Sequence, residues 1–256
     1  MQPPNMTADP GEWNEARLAA ALAKQRASFL RDGPPPLEQR KADLEKLKKT
    51  LLARREELAR SVSADFGHRS AYETTILDLL PLVHGIRYLR AHLKRWMRPH
   101  RRRVAMHFQP ARASVVYQPL GVVGIISPWN YPISLSLMPL ATAIAAGNRA
   151  MIKTSEFTPA TSAALAALLG EIFSDDQAAI VTGDARVGAA FSALPFDHLI
   201  FTGSTDVGRS VMRAASEHLV PVTLELGGKS PAIVAPGASL SQAAASIAFG
   251  KLANAG

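Results

Sequence analysis

The sequence predicts an α/β fold: a doubly wound parallel sheet, preceded by an N-terminal helical layer and a β-hairpin. Three observations carry this. Short apolar runs at 122–127, 149–153, 178–181, 198–201 and 222–226 alternate with helical stretches at 133–146, 159–173, 185–192, 207–217 and 240–254. Such continuous apolar strands belong to sheets covered on both faces. Upstream of residue 103 the chain instead reads as charged, amphipathic helix. The length of 256 residues, 47% hydrophobic and 20% charged, suits one large domain or two small ones.

Taken in order, residues 1–8 form a loose tail, and Asp9-Pro10 opens a helix running to about Arg31. Asp32-Gly33-Pro34-Pro35-Pro36 stops it. A second helix spans 37–63, with Leu44, Leu47, Leu51, Leu58 and Val62 on one stripe. A third covers 72–97, with Pro81 marking a kink or break. These charged helices read as a peripheral layer. Runs at 104–108 and 113–118 then predict two strands around the turn Gln109-Pro110-Ala111-Arg112. A sixth sheet strand is expected at 232–235. The organisation is therefore a helical layer at 1–103, a hairpin at 104–118 and the α/β domain at 119–256.

Composition removes several function classes. There is no cysteine, hence no disulfide, no thiolate metal site and no cysteine nucleophile. The seven histidines form no ligand pattern, so no metal site is expected. The N-terminus lacks the basic start and apolar run of a signal peptide. The longest apolar tract, 133–146, is broken by Pro139 and is shorter than the roughly 20 residues a bilayer needs. A cytoplasmic location without membrane attachment is expected. The net charge is +8, and residues 94–103 contain six Lys or Arg. Such a tract can bind nucleic acid or anionic lipid. No groove-reading motif accompanies it, so a solvated connector is the preferred reading and no nucleic-acid partner is expected.

In open parallel sheets, ligands bind beyond the carboxyl ends of the strands. The first strand ends in Ile126-Ser127-Pro128-Trp129-Asn130-Tyr131-Pro132. This is an ordinary turn composition, but the Asn130 amide can also donate to a developing oxyanion. The glycines of the usual dinucleotide turn are missing here. The second strand ends in Lys153-Thr154-Ser155-Glu156, either a surface ion pair or a pair of ribose contacts. The fourth leads through Phe201-Thr202-Gly203-Ser204 into a helix carrying Val207 and Gly208. Backbone N–H groups at a helix start attract anions, glycines admit a close phosphate, and the Ser204 hydroxyl adds a donor. The fifth ends in Leu224-Glu225-Leu226-Gly227-Gly228-Lys229-Ser230-Pro231. This is no P-loop, because Thr223 stands where a glycine is required and Pro231 leads into an apolar run rather than a helix. Glu225, between apolar neighbours on a strand expected to be buried, is either a paired structural carboxylate or a general base with a raised pKa.

Together these segments resemble the aldehyde dehydrogenase family. The resemblance rests on Pro128-Trp129-Asn130, Lys153 to Glu156, Phe201 to Ser204 with Gly208, Leu224 to Lys229, and Gly250-Lys251 followed by Asn254-Ala255-Gly256. It covers about residues 10–256. The run Ile152 to Ala160 is similar to the branch acting on coniferyl and related aldehydes.

The resemblance implies a Rossmann-like cofactor domain and oxidation of a small-molecule aldehyde to its acid with NAD or NADP. By motif, Asn130 would be the oxyanion donor and Glu225 the general base. Lys153 and Glu156 would hold the adenosine ribose, and the Leu226 carbonyl would meet the nicotinamide amide. Ile126, Ser127, Pro128, Trp129, Gly183, Phe201, Gly203, Ser204, Val207, Gly208 and Gly227 would complete the cofactor site. Glu156 would repel a 2′-phosphate, favouring NAD, while Lys153 leaves NADP open. Thr154 departs from the family's usual proline. The family's nucleophilic cysteine follows shortly after the Asn254 motif, so the chain resembles an N-terminal half. It is expected to be inactive alone and to come from a homo-oligomer that pairs through the hairpin. The alternatives are a non-catalytic NAD-binding module and a basic nucleic-acid or membrane-surface protein.

Overall fold

Asn14 starts the first helix, its side chain accepting a hydrogen bond from the Arg17 amide at 2.9 Å. This is α1, Glu15–Asp32, closed by Gly33 at a φ of +67°. The computed structural model describes residues 13–255, so the predicted Asp9-Pro10 helix start lies outside the described residues.

The predicted second helix is two: α2, Leu37–Ala53, and α3, Arg55–Phe66. They join at Arg54, whose guanidinium bonds Glu57 and, at 2.9 Å, Glu171. All five stripe residues are buried. The third stretch begins with the short α4, Ala71–Glu73, widens to a π-helical turn at Thr74–Leu79 and continues as α5, Leu80–Trp96. Pro81 sits at the start of α5, where its missing N–H suits a widened turn.

The hairpin is corrected. Its strands are β1, His100–Arg102, and β2, Ala113–Val115, paired antiparallel with His100 opposite Val115. The predicted strand at 104–108 is absent, and Met106–Phe108 is a 3-10 turn. Val104, Met106 and Phe108 alternate like a strand, yet Met106 and Phe108 are exposed, so no buried face fixes a register.

The sheet contains β3 (Val122–Ile126), β4 (Arg149–Lys153), β5 (Ala178–Val181), β6 (His198–Gly203) and β7 (Val222–Leu226). All neighbours are parallel, in the order β5-β4-β3-β6-β7. The connecting helices are α6 (Ser134–Ala146), α7 (Pro159–Gly170), α8 (Ala185–Ser192), α9 (Thr205–Ser216) and, after β7, α10 (Leu240–Leu252). The expected sixth strand at 232–235 is irregular chain, with Ile233 exposed.

Strand alternation divides the core between the two faces. Val123, Ile125, Ala150 and Ile152 pack with residues of α2, α3, α5, α6 and α7. Val122, Met151 and Leu199 pack with residues of α1, α8 and α9. The N-terminal helices are therefore part of the core rather than a peripheral layer. Each fully buried leucine adds about 1.5–3 kcal/mol of transfer free energy. Gln25 in α1 fastens its helix to the sheet, donating to the carbonyls of Ala150 at 3.0 Å and Asp175 at 2.9 Å. Asp78, buried in the π-helical turn, accepts from the amides of Ser134 at 2.6 Å and Ile133 at 3.4 Å at the start of α6. No helix among the described residues is long and apolar enough to cross a membrane.

Candidate active site and cofactor cleft

Because the strands are parallel, the segments following β3, β4, β5 and β6 reach the same, carboxyl end of the sheet. There they line a cleft of about 680 Å³. Ligand clefts typically occupy roughly 300–1,000 Å³. Of the predicted residues, Ile126, Ser127, Pro128, Trp129, Lys153, Glu156, Phe201, Gly203, Ser204 and Val207 line it. Asn130, Gly183, Gly208, Glu225, Leu226 and Gly227 do not.

Lys153 closes β4 with its side chain buried. Its ammonium donates to the Thr154 carbonyl at 2.7 Å and reaches Glu156 Oε2 at 3.4 Å. Burial lowers the lysine's pKa, while Glu156 and then Asp184 oppose that shift. An ammonium has three N–H groups, so one remains for a ligand. Glu156, Asp184 and Asp206 all line the cleft. Asp184 and Asp206 are paired with Arg186 and Arg209, each at 2.9 Å, so Glu156 is the carboxylate that answers Lys153.

The start of α9 faces the same cleft through Ser204, Asp206 and Val207. Ser204 caps this helix, its hydroxyl oxygen accepting from the Val207 amide at 3.4 Å. The hydroxyl hydrogen remains available to donate. Two glycines here answer to packing. A Cβ on Gly203 would lie 2.5 Å from the Phe201 ring, and one on Gly208 would lie 2.8 Å from Leu226. Gly183 holds a φ of +140° beside Val187, which favours glycine.

Glu225 requires a correction. It is exposed on β7, at the edge of the sheet formed by the described residues, instead of buried among apolar neighbours. Leu226 and Gly227 are exposed beside it.

Asn130 lies just past Trp129, and Trp129 packs on Phe66 with ring centroids 5.9 Å apart. The Asn130 carbonyl accepts from Arg69 Nη1 at 3.0 Å and from Asn254 Nδ2 at 2.9 Å. Its side-chain oxygen is buried without a hydrogen-bond partner among the described residues. Below the turn, Ser136 donates to Ser127 at 2.7 Å.

The aldehyde dehydrogenase family model matches residues 5–256. The chain belongs to the aldehyde dehydrogenase family. It is 55% identical over 240 residues to a probable coniferyl aldehyde dehydrogenase of Pseudomonas aeruginosa, covering 94% of this chain and 50% of that protein. A coniferyl aldehyde dehydrogenase of a Pseudomonas species is 49% identical, with the same coverage. Among solved structures, substrate-bound Staphylococcus aureus AldH superposes with a TM-score of 0.88 at 35% identity, over 93% of this chain and 52% of that one. A Mycobacterium tuberculosis aldehyde dehydrogenase complexed with NAD+ gives 0.86 at 30% identity, over 95% and 50%. The chain spans about half the length of the curated relatives it matches.

Several residues of this aldehyde dehydrogenase chain escaped sequence reasoning. Asp184 caps α8 by accepting from the Arg186 amide at 2.9 Å, and it lines the cleft. An Asp directly before a helix is a legible cap signal. Phe157, 70% exposed, also lines the cleft. Arg69 carried no signal at all, since it lies between Gly67 and Ser70 in what reads as a linker. Among the described residues no cluster of His, Cys, Asp and Glu could hold a metal ion.

Proposed function

We propose that this chain forms the cofactor-binding half of an NAD-dependent aldehyde dehydrogenase that oxidises aromatic aldehydes of the coniferyl type to their acids. The observation that carries the reading is the cleft itself. It joins a buried ammonium with a spare N–H, carboxylate acceptors, a capped helix start and an apolar wall. This donor set fits a dinucleotide, with Lys153 and Glu156 taking the adenosine ribose hydroxyls. Trp129, Val207 and the Ser204 end of α9 would hold the rest. The coniferyl assignment follows the names of the relatives above.

When bound, NAD supplies the hydride acceptor. The chain's own part is to orient and to move protons. When a nucleophile that this cysteine-free chain does not supply adds to the aldehyde carbon, the Asn130 amide would donate to the oxyanion left on oxygen. Glu225, open to solvent, would take a proton from the water that attacks the resulting acyl carbon, the nucleophile leaving as the acid forms. Gly203, which lines the cleft, would shape the backbone around the cofactor, and by the family motif the Leu226 carbonyl would meet its carboxamide; Gly183, Gly208 and Gly227 would act from outside the cleft lining. Glu156, beside Lys153 at the cleft, favours NAD over NADP. The hairpin pairs with a second copy of the protein.

Calorimetry with NAD and NADP tests the reading. Saturable heat with NAD, weaker with NADP and lost in K153A, is expected. No heat with NAD would overturn it. A second reading is a non-catalytic NAD-binding module. Coniferyl-aldehyde-dependent NADH formation by the natively produced protein would decide against that alternative.

A further inference from the structure

Arg69 is the least explained charged residue of the fold. It is 6% exposed, and its Nε and Nη2 have no hydrogen-bond partner among the described residues. It attracts the buried carboxylate of Asp78, but without a direct ion pair. A buried guanidinium with idle donors is costly, so a compensating role is expected. Two rings flank it, Phe66 and Tyr131, each with its centroid 5.1 Å from the guanidinium carbon. Its engaged nitrogen, Nη1, donates to the Asn130 carbonyl.

We propose that Arg69 is a positioning residue for Asn130: seated between Phe66 and Tyr131, it holds the Asn130 backbone so that the side-chain amide keeps one direction. This rests on the aldehyde dehydrogenase reading of Asn130 given above. The side-chain oxygen of Asn130 has no hydrogen bond of its own among the described residues, so that atom does not fix the amide. The backbone does, through two donors on one carbonyl, Arg69 from the helical layer and Asn254 from beyond α10. Phe66 also packs on Trp129, so one aromatic side chain contacts both the guanidinium and the residue preceding Asn130. A flat guanidinium suits a slot between rings and a fixed N–H direction, and a lysine ammonium supplies neither. Donors that stabilise an oxyanion act through being held in advance, and the groups holding them are part of the site.

The test is NMR of the 15N-labelled 256-residue chain. The Asn130 side-chain amide pair is assigned by its disappearance in N130D. In R69A this pair is expected to shift or broaden, while the pair of Asn148, bonded at the far end of the sheet to the amides of Leu120 and Gly121, stays in place. Millimolar guanidinium is expected to return the Asn130 pair toward its original position by refilling the slot. An unmoved Asn130 pair in R69A overturns the proposal. So does equal movement of the Asn148 pair, which would mark a general loss of structure. If R69A does not fold, R69K decides, since it keeps the charge but not the Nη1 geometry. An Asn130 pair unchanged in R69K overturns the proposal, and a shifted one supports it. NAD calorimetry on the unaltered chain separates the two readings: absence of heat counts against the cofactor site, whereas the resonance test bears on Arg69 alone.

Discussion

Lys153 and Glu156 form an unequal pair: the ammonium is buried, the carboxylate side chain is 37% exposed, and 3.4 Å separates them. The lysine's shorter bond, 2.7 Å, goes to a backbone carbonyl instead. Glu156 is thus free to serve as an acceptor at the cleft rather than only as a counter-ion. E156Q is expected to narrow the preference for NAD over NADP by roughly fivefold, about 1 kcal/mol for a partly exposed charge. Comparative calorimetry checks this, and an unchanged ratio would remove Glu156 from cofactor selection.

Asp78 gives a pH signature. Burial raises its carboxyl above the ordinary range, against the hydrogen bonds from Ser134 and the attraction of Arg69. The folded state therefore binds this proton more tightly than the unfolded state. Its contribution is complete below the unfolded pKa and is lost as pH rises through the folded one. Urea titrations at several pH values should show wild-type stability falling relative to D78N over that interval. Parallel pH profiles would contradict it. D78A, which leaves the Ser134 and Ile133 amides without their acceptor, should cost about 1–3 kcal/mol, with the larger cost at low pH.

Gly121 offers a sharper stability test. It holds a φ of +140°, and a Cβ there would lie 2.2 Å from Asp197 Oδ2. That oxygen also accepts from the Val122 amide at 2.7 Å. G121A should destabilise by about 1–3 kcal/mol through crowding, with backbone strain in addition. An unfolding midpoint equal to wild type would refute this.

The 256-residue chain alone is expected to form no NADH from coniferyl aldehyde, having no cysteine to attack the carbonyl. Any aldehyde-dependent NADH from pure chain would defeat that expectation.

No described residue of α10 is buried, and Leu240, Phe249 and Leu252 are each more than 70% exposed. Exposed apolar surface on this scale promotes association. Sedimentation of the isolated chain should show self-association that L240E combined with F249K reduces. A monomeric wild type would speak against it.

The sheet was legible because β3, β4 and β5 are buried apolar runs with helices between them. The hairpin was not, because exposed three-residue strands impose no periodicity. The exposure of Glu225 was not legible for a related reason. Apolar neighbours signal a strand but not whether it lies centrally or at an edge, and Leu226 beside it is exposed too. The break at Arg54 has no glycine or proline to mark it. In the cleft, Lys153, Ser204 and Trp129 were found from motifs at strand ends. Arg69 and the carbonyl contact of Asn254 were not, since both depend on partners 61 and 124 residues away.

The seat of Gln25 bears on synthesis. Its partner carbonyl at Ala150 lies 125 residues further along the chain. A ribosome therefore releases α1 long before the surface it docks on exists. Likewise β3 gains β4 early but waits for β6, whose His198 aligns with Val123, before its second flank is covered. Emerging chains must keep β3 half-dressed through the making of α7, β5 and α8. This is the interval in which such a fold is most open to wrong partners and to chaperones.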